Sequence, residues 1–420
     1  VVFGLYAQED IKNAAGEVVV EKDALIELGT TDEEGKLVFQ ADLPHGKYYI
    51  QEVEHKPGYL PNDEVYSFDA SYTDQTLELL AFSEEISNQP TITEFAKVDL
   101  TGGQEIEGAK MQILDQDGKV VEEWVSKKEP HVVYALEPGE YVLHEEQAPT
   151  EQGYVRAEDV KFVVEETVDV QKVKMEDDHT KVSISKTDIT DGKEIEGAKL
   201  QILDQDGEVV ESWTTGEEHL IEYLPVGTYT LHEEAAVDGY IVANDVEFTV
   251  EETGEIQKVK MEDERAMGQL VIVKTDTDSK AALEGVEFVL LEKETGEEVG
   301  RLKTGKDGKA VSELLPIGTY ENGVFKEPIT YVLKETATLK GYEKTEEEWE
   351  IVFTYQNDKT PVIEVVKEIQ NKKIPETPGT VKPGPKTGDD TNWFLPLLAL
   401  GVSAGMVAGL LYYRKRHKKA

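Results

Sequence analysis

The chain has 420 residues and no cysteine, so thiol nucleophiles, thiolate metal sites and disulfides are unavailable and any covalent staple must use other chemistry. It contains no Ser/His/Asp nucleophile motif, phosphate-cradling glycine loop or zinc signature. Asp115-Gln116-Asp117-Gly118 opens like a calcium loop but lacks the later ligands and the bidentate glutamate; a hairpin turn is expected there, and no metal or cofactor is assigned. His144 and His232 each precede a glutamate in an alternating run, which turns them to the exposed side of a strand, away from any catalytic or metal role. The glutamates themselves are different. Each of Glu52, Glu145, Glu233 and Glu335 follows two apolar alternates, as Tyr141 and Leu143 precede Glu145, so period-two geometry turns its carboxyl inward. A carboxyl buried in that way has its pKa raised and can carry protons for a neighbouring group.

The elements that must position these side chains repeat along the chain. EIEGAKMQILDQDG at Glu105 to Gly118 recurs as EIEGAKLQILDQDG at Glu194 to Gly207, an offset of 89 residues. LPHGKYYIQE, LEPGEYVLHE, LPVGTYTLHE and LPIGTY…ITYVLKE form a second, fourfold block, and each is followed by Gly-Tyr: Gly58-Tyr59, Gly153-Tyr154, Gly239-Tyr240 and Gly341-Tyr342. Short alternating runs separated by Gly, Pro and Asp-Gly turns are strands. Many such strands without a credible amphipathic helix imply an all-β chain of tandem antiparallel β-sandwiches, about 90 residues each. The expected domains are 1–90, 91–180, 181–265 and 266–374. In the last, Gly318 to Glu335 spans seventeen residues where the others have six, so an eleven-residue loop around Glu321 to Thr330 interrupts its hairpin.

The C-terminal end has a different composition. A Pro/Thr/Gly-rich linker at 375–392 leads into Trp393 to Tyr413, 21 residues without a charge, long enough as a helix of roughly 31 Å to span a bilayer. The tail 414–420 holds five Lys/Arg among seven residues and is expected in the cytoplasm, with the body of the chain outside. Pro385-Lys386-Thr387-Gly388, a short spacer, an apolar span and a basic tail together resemble the LPXTG-type sorting signal of Gram-positive wall-anchored proteins. The resemblance implies that sortase cuts between Thr387 and Gly388 and joins the chain to peptidoglycan, the helix holding it in the membrane beforehand. Gly384 stands where that family usually has Leu, and IPETP at Ile374 to Pro378 is a weaker second candidate. A single-span membrane protein with a proline-rich stalk is the alternative.

The repeats resemble the B-type (Cna_B) repeats of collagen adhesins and the SpaA-like, prealbumin-like and immunoglobulin-like domains of Gram-positive pilins. The marks are Lys-x-Asp near each start, the Gly-x-Tyr-x-Leu-x-Glu strand and an apolar-x-Asn/Asp at each end. The resemblance implies an isopeptide bond between the Lys of the first strand and the Asn or Asp of the last, assisted by the Glu. Carried over, the sets are Lys97, Glu145 and Asp177; Lys186, Glu233 and Asp263; and Lys274, Glu335 and Asn371. The first unit has Glu52 and Asn88, with its lysine expected before Val1. Spacings agree among units: Lys97 to Gly108, Lys186 to Gly197 and Lys274 to Gly285 are each eleven residues, and Glu52 to Asn88 matches Glu335 to Asn371 at 36. A lysine attacks only when neutral, which burial favours, while burial keeps the neighbouring acid protonated.

The whole chain carries 43 basic and 87 acidic residues, a net charge of -44, which argues against nucleic acid and anionic surfaces as partners. The chain opens on Val1 in an apolar run with neither Met nor leader, so further N-terminal sequence is expected. The favoured reading is an extracellular, wall-anchored stalk, adhesin or pilin-like protein that is not an enzyme beyond joining its own residues. Two others stay open: a surface enzyme whose catalytic part precedes Val1, and repeats that themselves bind a host, extracellular-matrix or polysaccharide ligand, with the fourth-unit insertion as the first place to look.

Overall fold

A computed structural model describes residues 1–71 and 80–375. The linker, sorting motif, proposed membrane helix and basic tail, 376–420, lie outside the described residues. Among the described residues no helix is long and apolar enough to cross a membrane.

The second domain shows the plan. Its strands are β1 (Ile92–Asp99), β2 (Lys110–Leu114), β3 (Val120–Val125), β4 (His131–Tyr134), β5 (Gly139–Gln147), β6 (Tyr154–Val155), β7 (Val160–Val164) and β8 (Gln171–His179). They form two four-stranded sheets, ordered β4-β1-β8-β6 and β7-β5-β2-β3. Alternation in β1, β2 and β5 sends Phe95, Met111, Ile113 and Leu143 between the sheets, where they are buried with Met175 of β8. The β2–β3 hairpin turns on Asp115, whose carboxylate accepts from the Asp117 and Lys119 amides at 3.0 and 2.9 Å; Gly118 takes the left-handed conformation, φ 76°. Thus Asp115 is engaged by its own turn.

One feature departs from the expected antiparallel sandwich. β1 and β8 pair in parallel, with Lys97 opposite Met175 and Asp99 opposite Asp177. Alternation along a strand reports which face is buried but not direction, and parallel neighbours need a long connection, supplied here by the whole domain between them. The third domain repeats this pairing between Lys181–Asp188 and Ile256–Arg265, and the fourth between Met267–Asp276 and Val362–Asn371. In the first domain the strands Leu25–Thr30, Val2–Ala7, Lys47–Glu54 and Val65–Asp69 form one sheet in that order, over a core of Leu5, Ala7, Ile11 and Tyr48.

The Gly-x-Tyr motif now has a physical reason. Tyr48, Tyr141 and Tyr229 each donate their hydroxyl to the carbonyl four residues back, at Pro44, Glu137 and Pro225 (2.6, 3.0 and 2.9 Å), pinning the chain where it enters the central strand. In the fourth domain Tyr331 keeps the equivalent partner, Pro316, at 2.7 Å although it lies fifteen positions back. The expected loop there is a β-hairpin, Gly318–Glu321 paired with Val324–Pro328, turned by Asn322 and Gly323 with φ 52° and 67°. Two successive positive φ values match a type I′ turn, which Asn-Gly favours.

Candidate functional site

In the second domain Lys97 leaves β1 and Asp177 leaves β8 in one sheet, Glu145 leaves β5 in the other, and all three are at most 3% exposed. Lys97 Nζ lies 2.9 Å from Glu145 Oε2 and donates to the Asp177 carboxyl. Glu145 Oε2 is held from behind by the Ala157 amide at 2.8 Å. Glu145 Oε1 and Asp177 Oδ2 remain buried without a hydrogen-bond partner. An anionic oxygen left in that state is costly, so the Asp177 carboxyl favours its protonated form. Burial pushes the Asp177 carboxyl up to about 7, with Glu145 adding to the rise and Lys97 opposing it.

The third domain reproduces the arrangement. Lys186 Nζ lies 2.9 Å from Glu233 Oε2 and donates to Asp263, and the Ala243 amide donates to Glu233 at 2.6 Å. Burial raises Asp263 to about 7 in the same way. In the fourth domain Lys274 is 2.8 Å from Glu335 Oε2 and donates to the Asn371 carbonyl oxygen, while burial lowers the Lys274 pKa against the pull of Glu335. The Asn371 amide nitrogen donates to Glu335 Oε1 and to Thr338 Oγ1, both at 2.7 Å. In the first domain Asn88 donates to Glu52 at 2.8 Å and to the Leu60 carbonyl at 2.9 Å. The residues of these four sets that the sequence contains are therefore adjacent, three to a site in the second, third and fourth domains and two in the first. Pro385, Lys386, Thr387 and Gly388 lie outside the described residues.

His144 and His232 lie away from the triads, half-buried rather than exposed, because each ring nitrogen Nδ1 sits 2.7 Å from a carboxylate, Asp159 and Asp245 respectively. Sequence reasoning missed Thr338 and the role of the second acidic residue in Lys-x-Asp. Asp99, Asp188 and Asp276 are buried and accept hydroxyl protons from tyrosines: Tyr223 to Asp99 at 2.8 Å, Tyr240 to Asp188 at 2.7 Å and Tyr342 to Asp276 at 2.9 Å. For Asp99 burial pushes upward, but the Gly102 amide and Tyr223 hydroxyl outweigh it and hold the carboxyl below its usual range. For Asp188 and Asp276 the Gly-Tyr that follows each Lys-x-Asp was the available signal, whereas Tyr223 stands before Leu224-Pro225 in the next domain, outside that motif.

The prealbumin-like fold domain model of SpaA matches residues 1–82, 91–179, 180–265 and 268–369. The chain belongs to this family. Among solved structures, the SpaA-type chain is similar to the Bacillus anthracis TIE protein, with 23% identity over 89% of this chain and 69% of that one and a TM-score of 0.48. It is also similar to BcpA, the major pilin subunit of Bacillus cereus, at 15% identity, 68% and 99% coverage and a TM-score of 0.39. Shaft pilin SpaA from Lactobacillus rhamnosus GG matches at 14% identity, covering 47% of this chain and 99% of that one, with a TM-score of 0.19. No curated protein matches.

Proposed function

We propose that this SpaA-type chain is an extracellular, wall-anchored stalk or pilin-like subunit whose second, third and fourth domains close their own Lys–Asp or Lys–Asn amide bonds. The observation that carries the reading is the threefold burial of a lysine against a glutamate and an acceptor, on the parallel pair of first and last strands. A plain sandwich gains little from three buried ion-pair clusters, since desolvation cancels most of their attraction. A covalent product changes that balance.

In the proposed step the glutamate takes a proton from the lysine, and the neutral Nζ attacks the acceptor Cγ. The Nζ–Cγ bond forms. At Asp177 and Asp263 the Cγ–OH bond breaks and water leaves; at Asn371 the Cγ–Nδ2 bond breaks and ammonia leaves, with the glutamate returning the proton. The product has no net charge at the lysine. The sorting sequence Pro385-Lys386-Thr387-Gly388, the apolar span and the basic tail belong to the same proposal, with sortase and peptidoglycan as partners.

Intact mass of the folded chain tests the chemistry. It should lie below the sequence value by two waters and one ammonia, and Glu335→Ala should restore the ammonia alone. A folded chain at its unmodified mass would sink the bonded reading and leave a plain β-sandwich stalk.

A further inference from the structure

The fourth-domain insertion ends not in solvent but against the third domain. Gly323, at its turn, is buried, and a Cβ there would overlap the Glu194 carbonyl and Ile195 backbone. Tyr320 meets Tyr240 edge-on at 5.2 Å between ring centroids and Phe325 at 5.6 Å, and its hydroxyl donates to the Gly239 carbonyl at 2.9 Å. The Arg265 guanidinium lies 4.2 Å over the Tyr320 ring while donating to Asp188 at 2.5 Å and Asp191 at 3.0 Å. Ile195, Ala198 and Tyr240 of the third domain thus share a small apolar cluster with Tyr320 of the fourth.

The preceding joints show what this contact replaces. Between the second and third domains, Tyr223 lies against Gly153, meets Tyr154 edge-on at 5.6 Å and stacks on His179 at 3.9 Å. Between the first and second, Ala135 lies against Gly58. The Gly-Tyr loop of one domain is therefore the receptor for the next. In the fourth domain the residue before Leu-Pro, where the third has Tyr223, is Leu314; the aromatic ring comes instead from the hairpin.

We propose that the hairpin Gly318–Pro328 is a docking element whose partner is the preceding domain of the same chain, fixing the joint between the third and fourth domains. The insertion is then an internal strut instead of a ligand-binding loop, and its role is independent of the amide bonds.

The absence of native cysteine makes the test direct. Spin labels on Glu208→Cys and Lys306→Cys, both at exposed positions, report the distance distribution across this joint in the full chain. Tyr320→Ala/Phe325→Ala should at least double the width of that distribution and speed hydrogen exchange at Val242, Ala266 and Met267, whose amides bond across the joint or beside it. Deleting Thr319–Ile329 restores the direct Gly-Thr-Tyr connection of the third domain and should do the same. In both variants the mass deficit should be unchanged. Distributions as narrow as in the parent chain, in variants whose fourth domain keeps its exchange protection, would overturn the proposal.

Discussion

A buried aspartate and a buried asparagine present a lysine with different problems. In the proposed reaction Asp177 must be protonated to lose water, and burial favours that form by raising its carboxyl from 3.8 to about 7. The sign follows from counting protons. Below about 7 the cluster holds two, so that one can pass from Lys97 to Glu145 and leave a neutral amine facing a neutral acid. Above it one proton is lost and that state empties. In chain refolded from denaturant, water loss at Asp177 and Asp263 should slow as pH rises through about 7, whereas ammonia loss at Asn371 should lack this step; time-resolved intact mass distinguishes them, and identical profiles would refute the assignment of the acid. For the same reason the Asp177 contribution to the stability of an unjoined second domain is fully present below pH 3.8 and is lost as pH rises to about 7. In the same proposed reaction Asn371 needs orientation instead, which the 2.7 Å hydrogen bond from its amide to Thr338 Oγ1 would supply. Thr338→Val should slow ammonia loss about fivefold, the worth of one hydrogen bond of ~1 kcal/mol. The inward glutamates were legible from period-two alternation. Thr338 was not, because a register shift between Glu335 and Ala337 interrupts alternation just before it.

Strand by strand, the Gly-x-Tyr-x-Leu-x-Glu run does two jobs at its two ends: its tyrosine hydroxyl anchors the entering chain, and its glutamate faces the lysine. Tyr229→Phe removes the 2.9 Å bond to Pro225 and leaves that carbonyl to find another donor. The expected cost is about 1 kcal/mol, read as faster hydrogen exchange in Gly227–Ala235 with no change in mass deficit. Retention of the third-domain water, seen as a smaller mass deficit, together with that exchange would show instead that the hydroxyl positions Glu233. Hairpins, turns and the inward faces were readable because local residues specify them, Asp-Gly at Asp117-Gly118 being the plainest case. The parallel pairing of β1 with β8 was not, since nothing within either strand encodes its neighbour's direction. The insertion lay between: Asn322-Gly323 flanked by Tyr320 and Phe325 is a type I′ hairpin signal, but its docking surface is formed by residues more than eighty positions earlier, around Gly239 and Glu194.

At the scale of the whole molecule the proposed amide bonds and the proposed anchor would answer one mechanical requirement, that tension pass from the wall through the second, third and fourth domains without unfolding them. The anchor is tested by Thr387→Ala, which should leave the protein in the membrane fraction instead of on peptidoglycan; unchanged wall attachment would remove the motif assignment. The domains are tested by pulling. Lys97 sits near the start of the second domain and Asp177 near its end, 80 residues apart, and 77 and 97 separate the pairs in the third and fourth. Closing a loop of that length removes on the order of 4 to 5 kcal/mol of unfolded-state entropy, but the larger effect is kinetic. With first and last strands joined, force applied at the domain ends runs through the bond, and the chain between its ends bears none. Each bonded domain should extend by only the few residues outside the bond. Glu145→Ala, which leaves lysine and acceptor unjoined, should add one unfolding event releasing roughly 280 Å of chain, 80 residues at about 3.5 Å each. Single-molecule stretching of the parent chain that already shows three such releases would mean that the bonds are absent.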